Sequence, residues 1–152
     1  MEDKIAARRA HNLAQQQAFD DIVASFEQPI PRDILQRLDM VVQRAEIHPG
    51  DAVLDVGTGV GVLLLFILKH NPSRVMACDL SEVMLERVRA KFCDRLITLQ
   101  ADVVDIPQDE GPFNVVLCNA MFGNVYDQAE TLEAIGRLLS IEGRLAISHP
   151  MG

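Results

Sequence analysis

The chain has 152 residues, 49% hydrophobic and 24% charged, with no low-complexity tract. That is one domain's worth of sequence with enough apolar side chains for a buried core, which argues against both a two-domain enzyme and a disordered segment. Fourteen Lys and Arg against 22 Asp and Glu leave a net charge of −8, a sign that repels polyphosphate and anionic lipid, so neither nucleic acid nor a membrane surface is an expected partner.

In chain order, Glu2 to about Ser25 is rich in Ala, Gln and charge and reads as a largely solvated helix with a frayed beginning. Only its end carries an apolar stripe, Phe19, Ile22, Val23 and Phe26, and this part is expected to dock by ordinary helix packing. Gln28-Pro29-Ile30-Pro31 interrupts it, and Pro31 suits the first position of a second helix, where its missing N–H costs nothing. Ile34, Leu35, Leu38, Val41, Val42 and Ala45 follow at helical spacing until His48-Pro49-Gly50. Short Val- and Ile-rich runs then alternate with helical stretches, the sequence form of βαβ units. Strands are predicted at 52–56, 74–79, 96–101, 114–119 and 144–149, and helices at about 60–70, 81–92 and 127–139. Because the strands are almost continuously apolar, helices should cover both faces. The predicted fold is an α/β, doubly wound, mainly parallel sheet over residues 47–152, preceded by N-terminal helices in residues 1–46, in one compact domain.

Cys78, Cys93 and Cys118 are odd in number, form no CxxC pair and read as core thiols of a reducing, cytoplasmic compartment. His11, His48, His70 and His149 stand at no ligand spacing from one another or from cysteine, so no metal site is expected. The longest apolar run, Val60 to Leu68, is well short of the roughly 20 residues that span a bilayer.

The informative segment is Ala52-Val53-Leu54-Asp55-Val56-Gly57-Thr58-Gly59-Val60-Gly61, a strand running into a glycine-rich turn and an apolar helix. Such a turn either closes tightly for its own sake or lets backbone N–H groups and the next helix N-terminus approach a nucleotide. Asp79 ends the second strand, on the same side of a parallel sheet, and could accept both hydroxyls of a ribose. Its other reading is a charge favouring the next helix, whose cap is Ser81. The dinucleotide fingerprint needs a small residue three positions after the second glycine, and here that place is Val62.

Asp55 to Gly61 (DVGTGVG) instead resembles the first motif of class I S-adenosylmethionine-dependent methyltransferases, and the likeness extends over roughly residues 47–150. The resemblance implies S-adenosylmethionine as cofactor, with S-adenosylhomocysteine as product. It implies that Asp55, Gly57, Thr58, Gly59 and Gly61 hold the methionine part, Asp79 the ribose, and Leu80, Asp102 and Val103 the adenine. Asp102 also has a plainer reading as a turn cap. Phe113 to Asn119 resembles the fourth motif, with Asn114 where the family usually has Asp; that departure is expected to touch folding rather than catalysis. Asn119 at its end should lie near the reacting centre, and His149 after the fifth strand is a candidate general base or only a terminus. Met121 and Phe122 are either pocket walls or ordinary loop packing, and no prolines follow Asn119 as in base-methylating relatives; Phe19 and Phe26, besides helix packing, resemble the aromatic-bearing N-terminal helix that closes over the cofactor in many small-molecule members.

The family's sheet has seven strands, whereas the sequence stops at Gly152 after the fifth. This implies a shortened chain or an assembly in which a second copy or partner chain covers the open edge. The acceptor implied is a small molecule. A non-catalytic S-adenosylmethionine-binding or interaction module is the alternative from another class, and a nicotinamide-dependent oxidoreductase is a further one, disfavoured by Val62.

Overall fold

A computed structural model describes residues 2–149. Five parallel strands, β1 (Ala52–Val56), β2 (Arg74–Asp79), β3 (Ile97–Gln100), β4 (Phe113–Asn119) and β5 (Leu139–Ser148), lie in the order β3-β2-β1-β4-β5. The helices are α1 (Glu2–Asp21), α2 (Arg32–Arg44), α3 (Leu64–Ile67), α4 (Glu82–Phe92) and α5 (Gln128–Leu138). Successive side chains of a strand point to opposite faces, and each of the inner strands uses both. Val53, Val75, Ala77, Val115 and Leu117 pack with α2, α3 and α4, while Leu54, Val56, Met76, Cys78, Val116 and Cys118 pack with α5. The predicted doubly wound α/β sheet is therefore present. Its order reverses between β1 and β4, where open α/β sheets form a crevice at the carboxyl ends of the strands.

Local chemistry sets the helix ends. The Ser81 hydroxyl accepts the Met84 N–H at 3.1 Å to start α4, and the Asp127 carboxylate accepts the Glu130 N–H at 3.0 Å to start α5. Pro31 stands one position before α2 rather than inside it. In α2 the apolar stripe behaves as its spacing predicts: Leu38, Val42 and Ala45 are buried. Asn114 has the folding role expected of it, its Oδ1 accepting the Ala52 N–H at 2.8 Å where β1 begins.

Four expectations need correction. The helix predicted at 60–70 is only Leu64–Ile67 with a 3-10 turn at Leu68–His70, because Gly57, Gly59 and Gly61 all have positive φ and prolong the turn. The last strand begins at Leu139 rather than 144. Phe113 pairs with Leu139 but Val115 with Arg144, so Ser140–Gly143 bulge outward. A Cβ at Gly143 would lie 2.9 Å from the backbone oxygen of Ser140, so the bulge favours glycine there. The N-terminal stripe does not dock as a buried face: Ile22 is 48% exposed, Phe26 is 40% exposed, and the one buried residue of α1 is Arg8. Finally, Cys78 and Cys118 are core thiols but Cys93 is exposed, at the positive φ that ends α4.

Candidate functional site

The crevice at the switch point is a cavity of about 390 Å³. The ends of β1, β2 and β4 make its floor, and α1 and α2 lie across it. Asp55, Gly57, Thr58, Gly59, Asp79, Leu80, Asp102, Val103 and Asn119 all line it, so the topology gathers nine of the eleven sequence candidates. Gly61 and His149 are not among the lining residues. A Cβ at Gly61 would meet Phe92, Leu64 and Val88 at 2.9–3.2 Å, so this glycine serves the packing of the turn against α4. His149 follows β5 and is exposed.

The other two glycines differ from it and from each other. At Gly57 a Cβ would fall 2.7 Å from Met121 Cβ, which places the loop after β4 directly on the turn. At Gly59, with φ +54, nothing lies within 4 Å of that position, so it opens onto the cavity. Four backbone N–H groups of the turn are engaged within the protein: those of Gly57 and Thr58 with Cys78 O, that of Gly61 with Thr58 O, and that of Gly59 with Asp79 Oδ2 at 2.8 Å.

Asp79 supports the next helix, as one of its two readings expected, and also lines the cavity. Oδ1 accepts the Ser81 N–H at 2.9 Å, supporting the start of α4, and Oδ2 accepts the Gly59 N–H. Each oxygen keeps a lone pair, and the carboxylate lines the cavity. Burial raises its pKa, opposed by the N–H groups of Ser81, Gly59 and Leu80, with Asp20 adding to the rise. Asp55 is 1% exposed and accepts the Thr58 hydroxyl at 2.7 Å. Burial pushes its pKa up to about 7; the Thr58 hydroxyl opposes the shift and the charge of Asp79 adds to it.

Asp102 is more heavily engaged than the sequence suggested. Its Oδ1 accepts the Val104 N–H at 3.1 Å, the turn-cap role, while Oδ2 takes Arg8 Nη1 at 3.0 Å and Asn12 Nδ2 at 2.7 Å. Asn119 ends β4 with its Oδ1 accepting the Ser148 hydroxyl at 2.9 Å. Met121 lines the cavity and Phe122 is not among the lining residues. Phe19 and Phe26 pair with ring centroids 6.3 Å apart and both face the cavity, although their spacing had suggested helix packing.

Sequence reasoning missed Asn12, Gln15 and Gln16. Together with Phe19 they fall at i, i+3, i+4 and i+7, one helical face, but three are polar and a search for apolar stripes passes over them. Among the described lining residues the only charged side chains are Asp55, Asp79 and Asp102. Asp102 is paired with Arg8 and burial raises the Asp55 pKa to about 7, so Asp79 contributes most of the cavity's negative charge, a sign that favours a cationic ligand over a pyrophosphate.

Residues 53–143, more than half of the chain, match a family described as a methyltransferase domain. The chain belongs to this methyltransferase domain family, within the class I S-adenosylmethionine-dependent group. The ubiquinone/menaquinone biosynthesis C-methyltransferase of Citrifermentans bemidjiense is 29% identical over 83% of this chain and 61% of its own length. A release factor glutamine methyltransferase of Rhodopirellula baltica is 30% identical over 70% of this chain and 40% of its own. Among solved structures, the methyltransferase in a complex with the Trm112 methyltransferase activator of Haloferax volcanii superimposes with a TM-score of 0.73 at 28% identity, covering 85% of this chain and 58% of that one. The methyltransferase domain thus spans only part of the length of such relatives. No helix among the described residues is long and apolar enough to cross a membrane, and no group of three or more His, Cys, Asp or Glu among them could hold a metal ion.

Proposed function

We propose that this chain is an S-adenosylmethionine-dependent methyltransferase, or the cofactor-binding part of one, acting on a small, uncharged acceptor. The observation that carries the reading is the acidic character of the cavity: three aspartates, Asp79 foremost, on an apolar lining, with no Lys, Arg or His among the described lining residues. The residues fit the cofactor. Asp79 keeps a lone pair on each oxygen for ribose hydroxyls, Leu80 and Val103 offer apolar surface to a base, and the open position at Gly59 leaves room above the turn. Asp55 and Thr58 offer a polar end to the cofactor's cationic part. When bound, S-adenosylmethionine supplies a methyl group activated by a sulfonium. The protein's task is then to hold the acceptor in line, which can contribute several kcal/mol without a general base.

Asn119 is the candidate residue nearest that task. With its Oδ1 committed to Ser148, its amide N–H groups are what it offers an acceptor oxygen. The apolar wall from Phe19, Phe26, Ile30, Ile34 and Leu38 favours a neutral, ring-bearing or hydrocarbon acceptor over a phosphorylated one. The two buried thiols fit a reducing, cytoplasmic setting. A second copy or further chain over the open β5 edge, where Ile141 is fully exposed, fits the same reading.

Isothermal titration with S-adenosylmethionine, S-adenosylhomocysteine and NADH tests the cofactor. Saturable binding of the first two and none of NADH is expected, and the reverse would overturn the reading. Asp79→Asn should weaken S-adenosylhomocysteine binding by about tenfold to a hundredfold, since hydrogen bonds to a charged group are worth about 1.5–3 kcal/mol. Unchanged affinity would remove the ribose assignment. Radiolabel transfer to paired neutral and anionic aromatic acceptors then tests the acceptor class.

A further inference from the structure

A second concavity, of about 430 Å³, lies beside the first, between the 3-10 turn Val23–Glu27, the start of α2, the glycine turn and α4. Its size falls in the range of about 300–1,000 Å³ usual for small-ligand sites. The bed is apolar, made by Phe26, Ile30, Leu35, Val60, Val62 and Leu65. Phe26 and Leu65 are 40% and 42% exposed, so this apolar surface stands open to water. Phe26, Ile30, Val60 and Val62 also line the first cavity, and the two concavities therefore share a wall.

Their charges are opposite. The first cavity has three aspartates and no cation among its described lining residues, whereas the groove is lined by Arg87 and Lys91 against Glu27 alone. On a chain of net charge −8 this is a local surplus of one positive charge. Arg87 and Lys91 stand four positions apart on α4, on one helix face, a spacing at which like charges destabilise a helix. Arg87 Nε donates to Glu27 Oε1 at 2.5 Å, and its two terminal nitrogens have no partner among the described residues. Lys91 Nζ has no carboxylate partner among them either; its contact is the Phe92 ring, whose centroid is 5.8 Å away. Arg89, on the same helix but outside the groove, is by contrast bonded to Glu82 and Thr98.

We propose that this groove is a second ligand site, which takes a small carboxylate with an apolar body. The head lies between Arg87 and Lys91, where it relieves their repulsion and engages the unpartnered guanidinium nitrogens, a donor edge suited to a carboxylate. The body covers Phe26, Ile30 and Leu65 and gains the free energy of removing them from water. A single negative charge balances the surplus of one, which a phosphate dianion would exceed. The site does not depend on the cofactor reading, and its ligand differs in charge from the neutral acceptor that the first cavity favours.

Titration of the isotope-labelled full chain with octanoate, followed through backbone amide shifts by NMR, tests the site, with octan-1-ol as the uncharged control. Saturating shifts should appear at Val60, Val62 and Arg87 to Lys91, and octan-1-ol should bind at least about tenfold more weakly. Lys91→Met and Arg87→Met, both at exposed positions, should each weaken octanoate about tenfold, as for loss of one hydrogen bond to a charged group. Arg89→Met removes the same charge from the same helix and should leave the affinity unaltered. Absence of saturable octanoate binding, equal binding of octan-1-ol, or shifts centred on Asp79 and Asn119 would overturn the proposal. So would an affinity that Lys91→Met and Arg87→Met both leave unchanged, or that Arg89→Met lowers as much as they do.

Discussion

The turn after β1 and the helix α1 face each other across one cavity, and they are held in place by different forces. The turn sits on a sheet whose residues Val53, Leu54, Val115 and Val116 are fully buried, and its glycines are pressed against Met121 on one side and Phe92 on the other. The helix rests on charge pairs and hydrogen bonds at its rims and buries one arginine. Hydrophobic burial is bound up with global folding, whereas exposed ion pairs are worth little and yield to salt. The floor is therefore as stable as the protein, while the roof, apart from the buried Arg8 pair, is held by contacts that salt weakens.

The largest expected effect comes from attacking the floor. Gly57→Ala forces a Cβ into Met121 at a φ of +67, and left-handed strain with overpacking should cost about 2–5 kcal/mol, read as a lower denaturation midpoint. A smaller effect comes from pH. Asp55 has its pKa raised to about 7 in the folded protein, so the folded state favours the neutral acid. The associated stability is fully present below the unfolded carboxylate pKa and is lost as pH rises through 7. Between pH 5 and 8 this group alone should cost roughly 2–3 kcal/mol. Thermal melts across that range should fall more steeply for the wild type than for Asp55→Asn, which holds the neutral form throughout; equal slopes would refute the assignment. The smallest effect belongs to the roof: Lys4→Ala should leave the thermal midpoint unchanged while speeding amide exchange at the start of α1.

The floor was legible in the sequence because its physics is periodic. Alternating burial in parallel strands gives continuous apolar runs, and β1 and β2 fall at the boundaries those runs predict. Asp79 could be placed beside the glycine turn because it ends a strand of a parallel sheet, whereas Asp55 and Asp102 were singled out by the family resemblance. The roof was not legible in the same way. Arg8 and Asp102 are 94 positions apart, and nothing in the pattern around either names the other. Gly61 looked like its neighbours in the motif, and only the contacts of an added Cβ separate a glycine that packs from one that faces a ligand. The early start of β5 was hidden because a bulge breaks the two-residue period that marks a strand.

Arg144, on β5, carries a consequence for the order of assembly. Its guanidinium donates to Ala45 O at 3.2 Å and Glu46 O at 2.8 Å and reaches Asp51 at 3.1 Å. The carbonyl groups at the end of α2 thus wait for a residue made 98 or 99 positions later. At about 5–20 residues per second of synthesis, they remain hydrated for on the order of 5–20 s. Contacts this distant in sequence form late in folding as well. The end of α2 is therefore made well before the strand that secures it, and it is among the last parts of this fold to be fixed.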